Sequence, residues 1–100
     1  MESVRVQHHK PVKQFEVEHD GLLAALQYDR AGDRRVLLYA EVPPALAGHC
    51  IGSALVRAAL AYAREEGWRV VPRCPLVQIY LRRHPVDIPL VDPAVSWPPA

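Results

Sequence analysis

The sequence predicts a small α/β (α+β) domain, with a mixed sheet of about four strands and two helices. Two observations support this prediction. Three short apolar runs follow one another between turn signals, which is typical of an antiparallel meander, and a stretch with helical spacing separates the third run from a fourth. The 100 residues are enough for one domain with a single core. We expect that core to span about residues 12–91, ahead of a proline-rich tail at 92–100.

The first three strands are marked by their apolar residues and by the turns between them. Residues 12–19 carry the first run, and the Asp20-Gly21 dipeptide that follows is a hairpin signal. Residues 22–28 form the second run and residues 35–42 the third. Pro43-Pro44 ends the third strand, because proline has no N–H to donate to a ladder. We therefore predict three antiparallel strands followed by a loop.

A strand–helix–strand unit comes next. Residues 52–66 have apolar side chains at helical spacing, and Gly67 supplies the C-terminal stop. Residues 68–71 then form a short fourth strand, which the crossover helix places parallel to the third. Pro75 suits the first turn of a second helix that runs to about residue 83, with Cys74 at its N-cap.

The end of the chain is rich in proline, which argues against a regular element there. We predict an extended tail in which Ile88, Leu90 and Val91 dock on the sheet. Residues 96–100 are expected to fray, because nothing in their sequence ties them down.

Composition argues against several classes of function. Lys and Arg total 12 against 11 for Asp and Glu, so the net charge of +1 gives no field that steers nucleic acid. No apolar stretch approaches the roughly 18 to 20 residues of a membrane span. Two cysteines without a signal-peptide pattern indicate free thiols in the cytoplasm. The excess of arginine over lysine suggests a GC-rich, bacterial genome.

The segment between the third strand and the first helix has the features of an anion site. Gly48 and Gly52 would let a ligand approach the backbone closely. The unpaired N–H groups of the first helical turn and the positive end of the helix dipole favour a negative charge. A turn that needs glycine only for its own conformation is the alternative.

Three spaced motifs resemble the GNAT family of acetyltransferases. Val42-Pro43-Pro44 followed by Ala47-Gly48-His49-Cys50-Ile51-Gly52 is similar to the family's cofactor loop, Gln/Arg-x-x-Gly-x-Gly/Ala. With Val70-Val71-Pro72-Arg73-Cys74-Pro75 and then Tyr80 and His84-Pro85, it resembles a small GNAT-like branch. The resemblance implies an N-acetyltransferase that uses acetyl-CoA, whose pantetheine arm lies in a V-shaped gap between strands three and four. The cofactor-binding residues that it implies are Val42, Gly48, His49, Cys50, Ile51, Gly52 and Ser53.

Two positions depart from the family's loop pattern. Ala47 stands where the family usually has Arg or Gln, and Cys50 stands where it usually has Gly. Because backbone N–H groups do most of the pyrophosphate binding in the family, we expect the missing side chain at Ala47 to weaken affinity rather than abolish it. If position 50 requires a positive φ, cysteine there costs roughly 1 kcal/mol or more.

The resemblance also implies roles in acetyl transfer. Tyr80 lies where the family has the tyrosine that protonates the CoA thiolate, and a phenol suits that role because its pKa lies near that of a thiol. A core tyrosine is the alternative. Cys74 is a pocket residue or a nucleophile, or else a small buried hydrophobe. Glu41 is the candidate base for the amine, or else a solvated strand-end residue. His49 and His84 are weaker candidates.

Two other functions compete with this interpretation. The altered loop leaves open a non-catalytic module that binds CoA or another protein. A metal site is the second alternative, but the His and Cys residues lack the spacing of zinc ligands, so we predict no metal. The sequence does not identify the amine acceptor, which in this superfamily is bound by variable loops.

Overall fold

The computed structural model describes residues 5–48, 50–95 and 97. Five strands form one sheet in the order β1-β2-β3-β4-β5. Neighbouring strands are antiparallel except β4 and β5, which are parallel, so the predicted meander and parallel pair are confirmed. The strands are β1 (Gln7–His9), β2 (Gln14–His19), β3 (Leu22–Ala31), β4 (Arg34–Glu41) and β5 (Arg69–Pro72).

The hairpin between β2 and β3 lies where the dipeptide predicted it. Asp20 and Gly21 have φ values of 52° and 75°, the pair of positive values that a two-residue type I′ turn requires. The strand predicted over residues 12–19 is β2, and it begins two residues later than predicted, at Gln14. Val12 is half exposed in a 3-10 turn, Lys10–Val12, because Pro11 favours the turn and the left-handed Lys13 after it re-aims the chain into β2.

The strand β1 was not predicted. Its three residues are polar, so it has no apolar alternation from which a strand could be recognised. It forms because its backbone pairs with β2 and because the ring of His8 stacks on Phe15, with centroids 4.2 Å apart. A single inward ring therefore joins an otherwise polar segment to the core.

Two α-helices follow the predicted boundaries closely. Helix α1 (Ile51–Glu66) ends at Gly67, whose left-handed conformation lets its N–H reach the Ala63 carbonyl. Helix α2 (Pro75–Arg83) has proline in its first turn and Cys74 at its N-cap, as predicted. No helix among residues 5–48, 50–95 and 97 is long and apolar enough to cross a membrane.

One hydrophobic core lies between the sheet and the helices. Strands β2 and β3 contribute alternate residues to it, Phe15 and Val17 from β2 and Ala24, Leu26 and Tyr28 from β3, as the pleat requires. The largest fully buried side chains are Phe15, Leu26, Leu37, Leu46, Leu55, Leu60, Leu81, Val56, Val70, Val77 and Cys74.

The C-terminal segment is more ordered than an extended tail. Pro85–Leu90 forms a 3-10 helix that has proline in its first turn and Pro89 in its interior. Val91 docks on the sheet as predicted, through a parallel bridge to Val70. The packed region extends beyond it, since Asp92 is buried and pairs with Arg34 at 2.5 Å. The predicted fraying concerns residues 96–100, of which only Trp97 is described.

Candidate functional site

Strands β4 and β5 are paired at one end and parted at the other. The ladder joins Arg34–Leu37 to Arg69–Pro72 and then stops. The N–H groups of Arg73 and Cys74 both donate to the Leu37 carbonyl, at 3.1 and 2.8 Å, which turns the chain away from β4. The last four residues of β4 continue without β5 beside them. All four residues of β5 are paired with β4, so the V-shaped gap that the resemblance implies stays a prediction.

A β-bulge in β4 lies where the two strands part. Tyr28 is opposite Leu37 and Gln27 is opposite Tyr39, so Leu38 is the extra residue of β4. A bulge bends its strand and increases the local twist, which moves the end of β4 away from the line of β5. The apolar run at this point carries no Gly or Pro to mark a bulge, and sequence reasoning missed it.

The loop from β4 to α1 ends in two left-handed residues on either side of His49. Gly48 has φ 85°, and Cys50 has φ 59° and ψ 21°. Cysteine therefore occupies the positive-φ conformation whose strain the sequence analysis raised. His49, a predicted cofactor-binding residue, lies outside the described residues. Leu46 is buried and anchors the loop to the core.

The first turn of α1 presents backbone donors. The first intrahelical bond runs from the Ala54 N–H to the Cys50 carbonyl at 3.1 Å, and the Cys50 side chain makes no capping hydrogen bond. The N–H groups of Ile51, Gly52 and Ser53 precede that bond, and these are the groups that a helix leaves without an intrahelical partner. With the helix dipole they favour an anionic ligand.

A shallow cleft of about 340 Å³ brings the predicted loop residues together. Its lining among the described residues is uncharged. It adds Leu76 of α2, which sequence reasoning did not identify because nothing in the sequence indicates that α2 meets the loop. A Cβ at Gly52 would lie 2.8 Å from Leu76 Cδ2, so this glycine permits the two helices to approach. The lining residues are Val42, Leu46, Ala47, Gly48, Cys50, Ile51, Gly52, Ser53 and Leu76.

The two candidate catalytic residues of α2 are both buried. Cys74 is 1 % exposed and belongs to the core, which favours its interpretation as a small buried hydrophobe. Tyr80 is 7 % exposed. Its ring stacks on His84 with centroids 4.0 Å apart, and His84 Nδ1 donates to the Tyr80 carbonyl at 2.9 Å. The sequence analysis named both residues but did not predict this pairing, although a spacing of four in a helix allows it.

Glu41 lies apart from the cleft. It is exposed at the end of β4, and it faces Ala25 across the sheet, which in turn faces Glu16 of β2. Its neighbour Ala40 packs against the core, and side chains alternate along a strand, so Glu41 projects from the other face of the sheet. The structure does not place it beside the loop.

Within the described part of the chain, no three His, Cys, Asp or Glu side chains converge as metal ligands do. Cys50 is exposed and Cys74 buried, and both are free thiols.

The open mixed sheet, with one parallel pair and a loop that leads from β4 into α1, is compatible with a minimal GNAT-like α/β fold. The pattern of the GCN5-related N-acetyl-transferase family matches residues 14–88, and the chain belongs to that family. Three relatives, all called Protein NATD1, are similar to most of it. The Xenopus tropicalis protein is 33% identical over 84% of this chain and 80% of its own length. The Mus musculus protein is 35% identical over 83% and 78%, and the Homo sapiens protein 35% over 83% and 76%.

These relatives are eukaryotic, so the comparison gives no support to the bacterial source that the arginine-rich composition suggested. The matched segment begins in β2 and ends in the 3-10 helix after α2. It therefore contains the parted strands, the loop and both helices of the candidate site.

Proposed function

We propose that the chain transfers an acetyl group from acetyl-CoA to an amine. The observation that carries this proposal is the half of β4 that extends beyond β5 and leads into the loop and the first turn of α1. Membership of the acetyltransferase family supports the same activity. Acetyl-CoA, when bound, would supply an activated thioester that a neutral amine attacks directly.

Backbone groups are the proposed ligands of the pyrophosphate. None of the described residues that line the cleft has a charged side chain, and Ala47 has no guanidinium to offer. The N–H groups of residues 51–53 and the dipole of α1 are then the main source of positive potential. Gly48, with its positive φ, leaves the backbone open to a close approach.

The unpaired half of β4 is the proposed ligand of the pantetheine arm. Past Leu37 the strand has lost its parallel neighbour, and its backbone polar groups on that edge are available to an amide-bearing ligand. Val42, which follows this edge, lines the cleft. An extended ligand there would take the place that β5 leaves, in the manner of an added strand.

Tyr80 is the proposed general acid. A phenol can give its proton to the departing thiolate, because its ordinary pKa of about 10 is close to that of a thiol. The stack on His84 and the bond from His84 Nδ1 to the Tyr80 carbonyl hold the ring in one orientation. Cys74 is proposed as a buried neighbour in the core rather than a nucleophile. Glu41 projects from the other face of the sheet, so it is not part of the proposed site.

Thermal unfolding with acetyl-CoA tests donor binding. A ligand at 100 times its Kd that binds only the native state adds about 2.7 kcal/mol, a rise of several degrees in Tm. Ser53→Asp places a carboxylate among the proposed pyrophosphate donors. It stabilises the free protein by about 0.3–1 kcal/mol through the helix dipole, and we expect it to remove the ligand-induced rise. Ala61→Asp, an exposed carboxylate further along α1, is the matched control and retains the rise.

Release of free CoA thiol in the presence of amines tests turnover. We expect release that depends on the acceptor amine and is lost in Ser53→Asp. The left-handed Cys50 and the missing side chain at Ala47 favour one second candidate, a CoA-binding module without activity. That candidate predicts the rise in Tm without any thiol release. Absence of both in the wild-type protein would contradict the two candidates together.

A further inference from the structure

A second cavity, of about 310 Å³, lies at the other end of α1. Helix α1 has 16 residues and spans about 24 Å, so this cavity is well separated from the loop between β4 and α1. It lies where the end of α1 meets β1, β3 and the start of β4. Its lining is unlike that of the loop cleft, because it combines aromatic rings with several cations. Nothing in the proposed acetyl transfer uses it.

Aromatic rings form one wall of this cavity. Trp68 contacts Tyr62 with ring centroids 4.9 Å apart, and Tyr28 with centroids 5.2 Å apart. His8 meets the edge of Tyr62 at 4.4 Å. Tyr28 is buried, whereas Tyr62 and Trp68 are only partly buried, so parts of two ring surfaces remain open to a ligand that carries a flat ring.

Cations lie around the same cavity. The Arg35 guanidinium carbon is 4.7 Å from the Trp68 ring centroid, and Lys10 Nζ is 5.5 Å from that of Tyr62. Arg30 and Arg35 both donate to the Gly32 carbonyl at 3.4 Å. Across the described residues, Lys10, Arg30 and Arg35 form no ion pair with a carboxylate.

Little negative charge balances this group. Lys13, the fourth cation of the lining, pairs with Asp29 at 3.1 Å. Glu66 is the one carboxylate among the described residues that line the cavity. The cavity therefore carries an excess of positive charge in a protein whose net charge is only +1.

His8 adds a polar atom without a partner. Its Nε2 shares a 2.7 Å hydrogen bond with the Tyr28 hydroxyl, whereas its Nδ1 is buried and has no hydrogen-bond partner among the described residues. When Tyr28 donates to Nε2, the proton of the neutral ring is on Nδ1. An N–H left in that state is an unsatisfied buried polar group in a residue that lines the cavity.

We propose that this cavity binds a small organic anion with a flat ring, of the class of the nucleoside monophosphates. Lys10, Arg30 and Arg35 would contact the phosphate, since guanidinium and ammonium groups form charge-assisted hydrogen bonds with it. The ring would pack on the parts of Tyr62 and Trp68 that Lys10 and Arg35 do not cover. The site is independent of the proposed acetyl transfer, because it shares no residue with the loop cleft.

Calorimetric titration with adenosine monophosphate tests the proposal. Inorganic phosphate and adenosine serve as partial ligands at the same ionic strength, and each should bind more weakly than the monophosphate. The double variant Lys10→Gln with Arg35→Gln should weaken the monophosphate about tenfold or more, through loss of two charge-assisted contacts. Arg57→Gln removes an exposed charge elsewhere on α1 and should leave its affinity unchanged.

Competition between acetyl-CoA and the monophosphate distinguishes this site from the loop between β4 and α1. Ser53→Asp should retain monophosphate binding, and saturating acetyl-CoA should not displace the monophosphate from wild-type protein. Displacement by acetyl-CoA would assign the monophosphate to the loop and overturn the proposal. Equal affinity in the double variant and the wild type, or no binding at millimolar concentration, would overturn it as well. Failure of acetyl-CoA binding alone would leave it intact.

Discussion

The two ends of the β4–α1–β5 unit are built in opposite ways. At one end β4 and β5 are hydrogen-bonded, and Arg34 joins the sheet to the C-terminal segment through the buried Asp92. At the other end β4 is bulged, the strands part, and a loop with left-handed residues leads into α1. The paired end offers side-chain charge and aromatic rings, whereas the parted end offers backbone groups.

This difference shows how a domain of 100 residues can be stable although it has a cleft on its surface. A cleft between strands removes backbone hydrogen bonds and buried area, which a small core can spare only if packing elsewhere is dense. The rings of His8, Phe15, Tyr28, Tyr62 and Trp68 supply that packing at the paired end. Stability and acetyl-CoA binding are therefore expected to respond to different residues.

The largest expected effect is at the paired end. Phe15 is 2 % exposed and lies among these rings, so Phe15→Ala should lower the free energy of unfolding by about 3–5 kcal/mol. Chemical denaturation measures this change. Ser53→Ala, an exposed substitution at the parted end, should change stability by no more than about 0.5 kcal/mol. Comparable losses of unfolding free energy in the two variants would contradict this difference between the two ends.

The next effect concerns catalysis at the parted end. Tyr80→Phe should lower kcat by roughly 10- to 1000-fold, because it removes the proposed proton donor, with little change in acetyl-CoA affinity. Steady-state thiol release measures both quantities. Cys74→Ala is the matched core variant of the same region and should keep most of the turnover. An acetylated Cys74, with loss of turnover in Cys74→Ala and a nearly normal Tyr80→Phe, would reverse the assignment.

A smaller effect is expected from the left-handed loop residue. Cys50→Gly removes strain of about 1 kcal/mol, and the added entropy of the unfolded chain offsets about 0.5–1 kcal/mol of that gain. The net change in unfolding free energy should be stabilising and below about 1 kcal/mol. Gly48→Ala is the opposite test at the other positive-φ position and should destabilise. A destabilised Cys50→Gly protein would show that the thiol makes a favourable contact.

The smallest effect is a pH dependence at the paired end. Burial, with a lesser contribution from the charge of Lys10, lowers the pKa of His8 below its ordinary value of 6.5. The unfolded chain then binds more protons than the native state, so stability is fully present above pH 6.5 and is lost as the pH falls through the lowered pKa. Between pH 8 and 5, the Tm of the wild type should fall more steeply than that of His8→Phe. Equal slopes would contradict this role of His8.

Much of the fold followed from local signals. Alternating apolar residues, the Asp20-Gly21 turn and Gly67 each specify a conformation on their own, and the structure has all three where they were predicted. The strand β1 was missed because only His8 of its residues faces the core. The order of the C-terminal segment was missed for a related reason, since Asp92 is held by Arg34, which is distant in sequence.

The site was predictable only in part. The loop and the helix N-terminus are contiguous in sequence, so their residues could be named in advance. The contact of Leu76 with Gly52 and the extra residue of β4 depend on how separate elements meet. Glu41 was placed near the chemistry by strand position alone, and the alternation of side chains puts it on the far face.

The bulge at Leu38 has a numerical consequence. Strand β3 uses the pair Gln27 and Tyr28 where β4 uses three residues, Leu37 to Tyr39. Deleting Leu38 would equalise the count and keep Leu37, Tyr39 and Ala40 on their present faces, because the surplus residue is the one removed. The composition of the two strands would hardly change. A difference of one residue between β3 and β4 thus accompanies the edge of β4 along which the proposed ligand would bind.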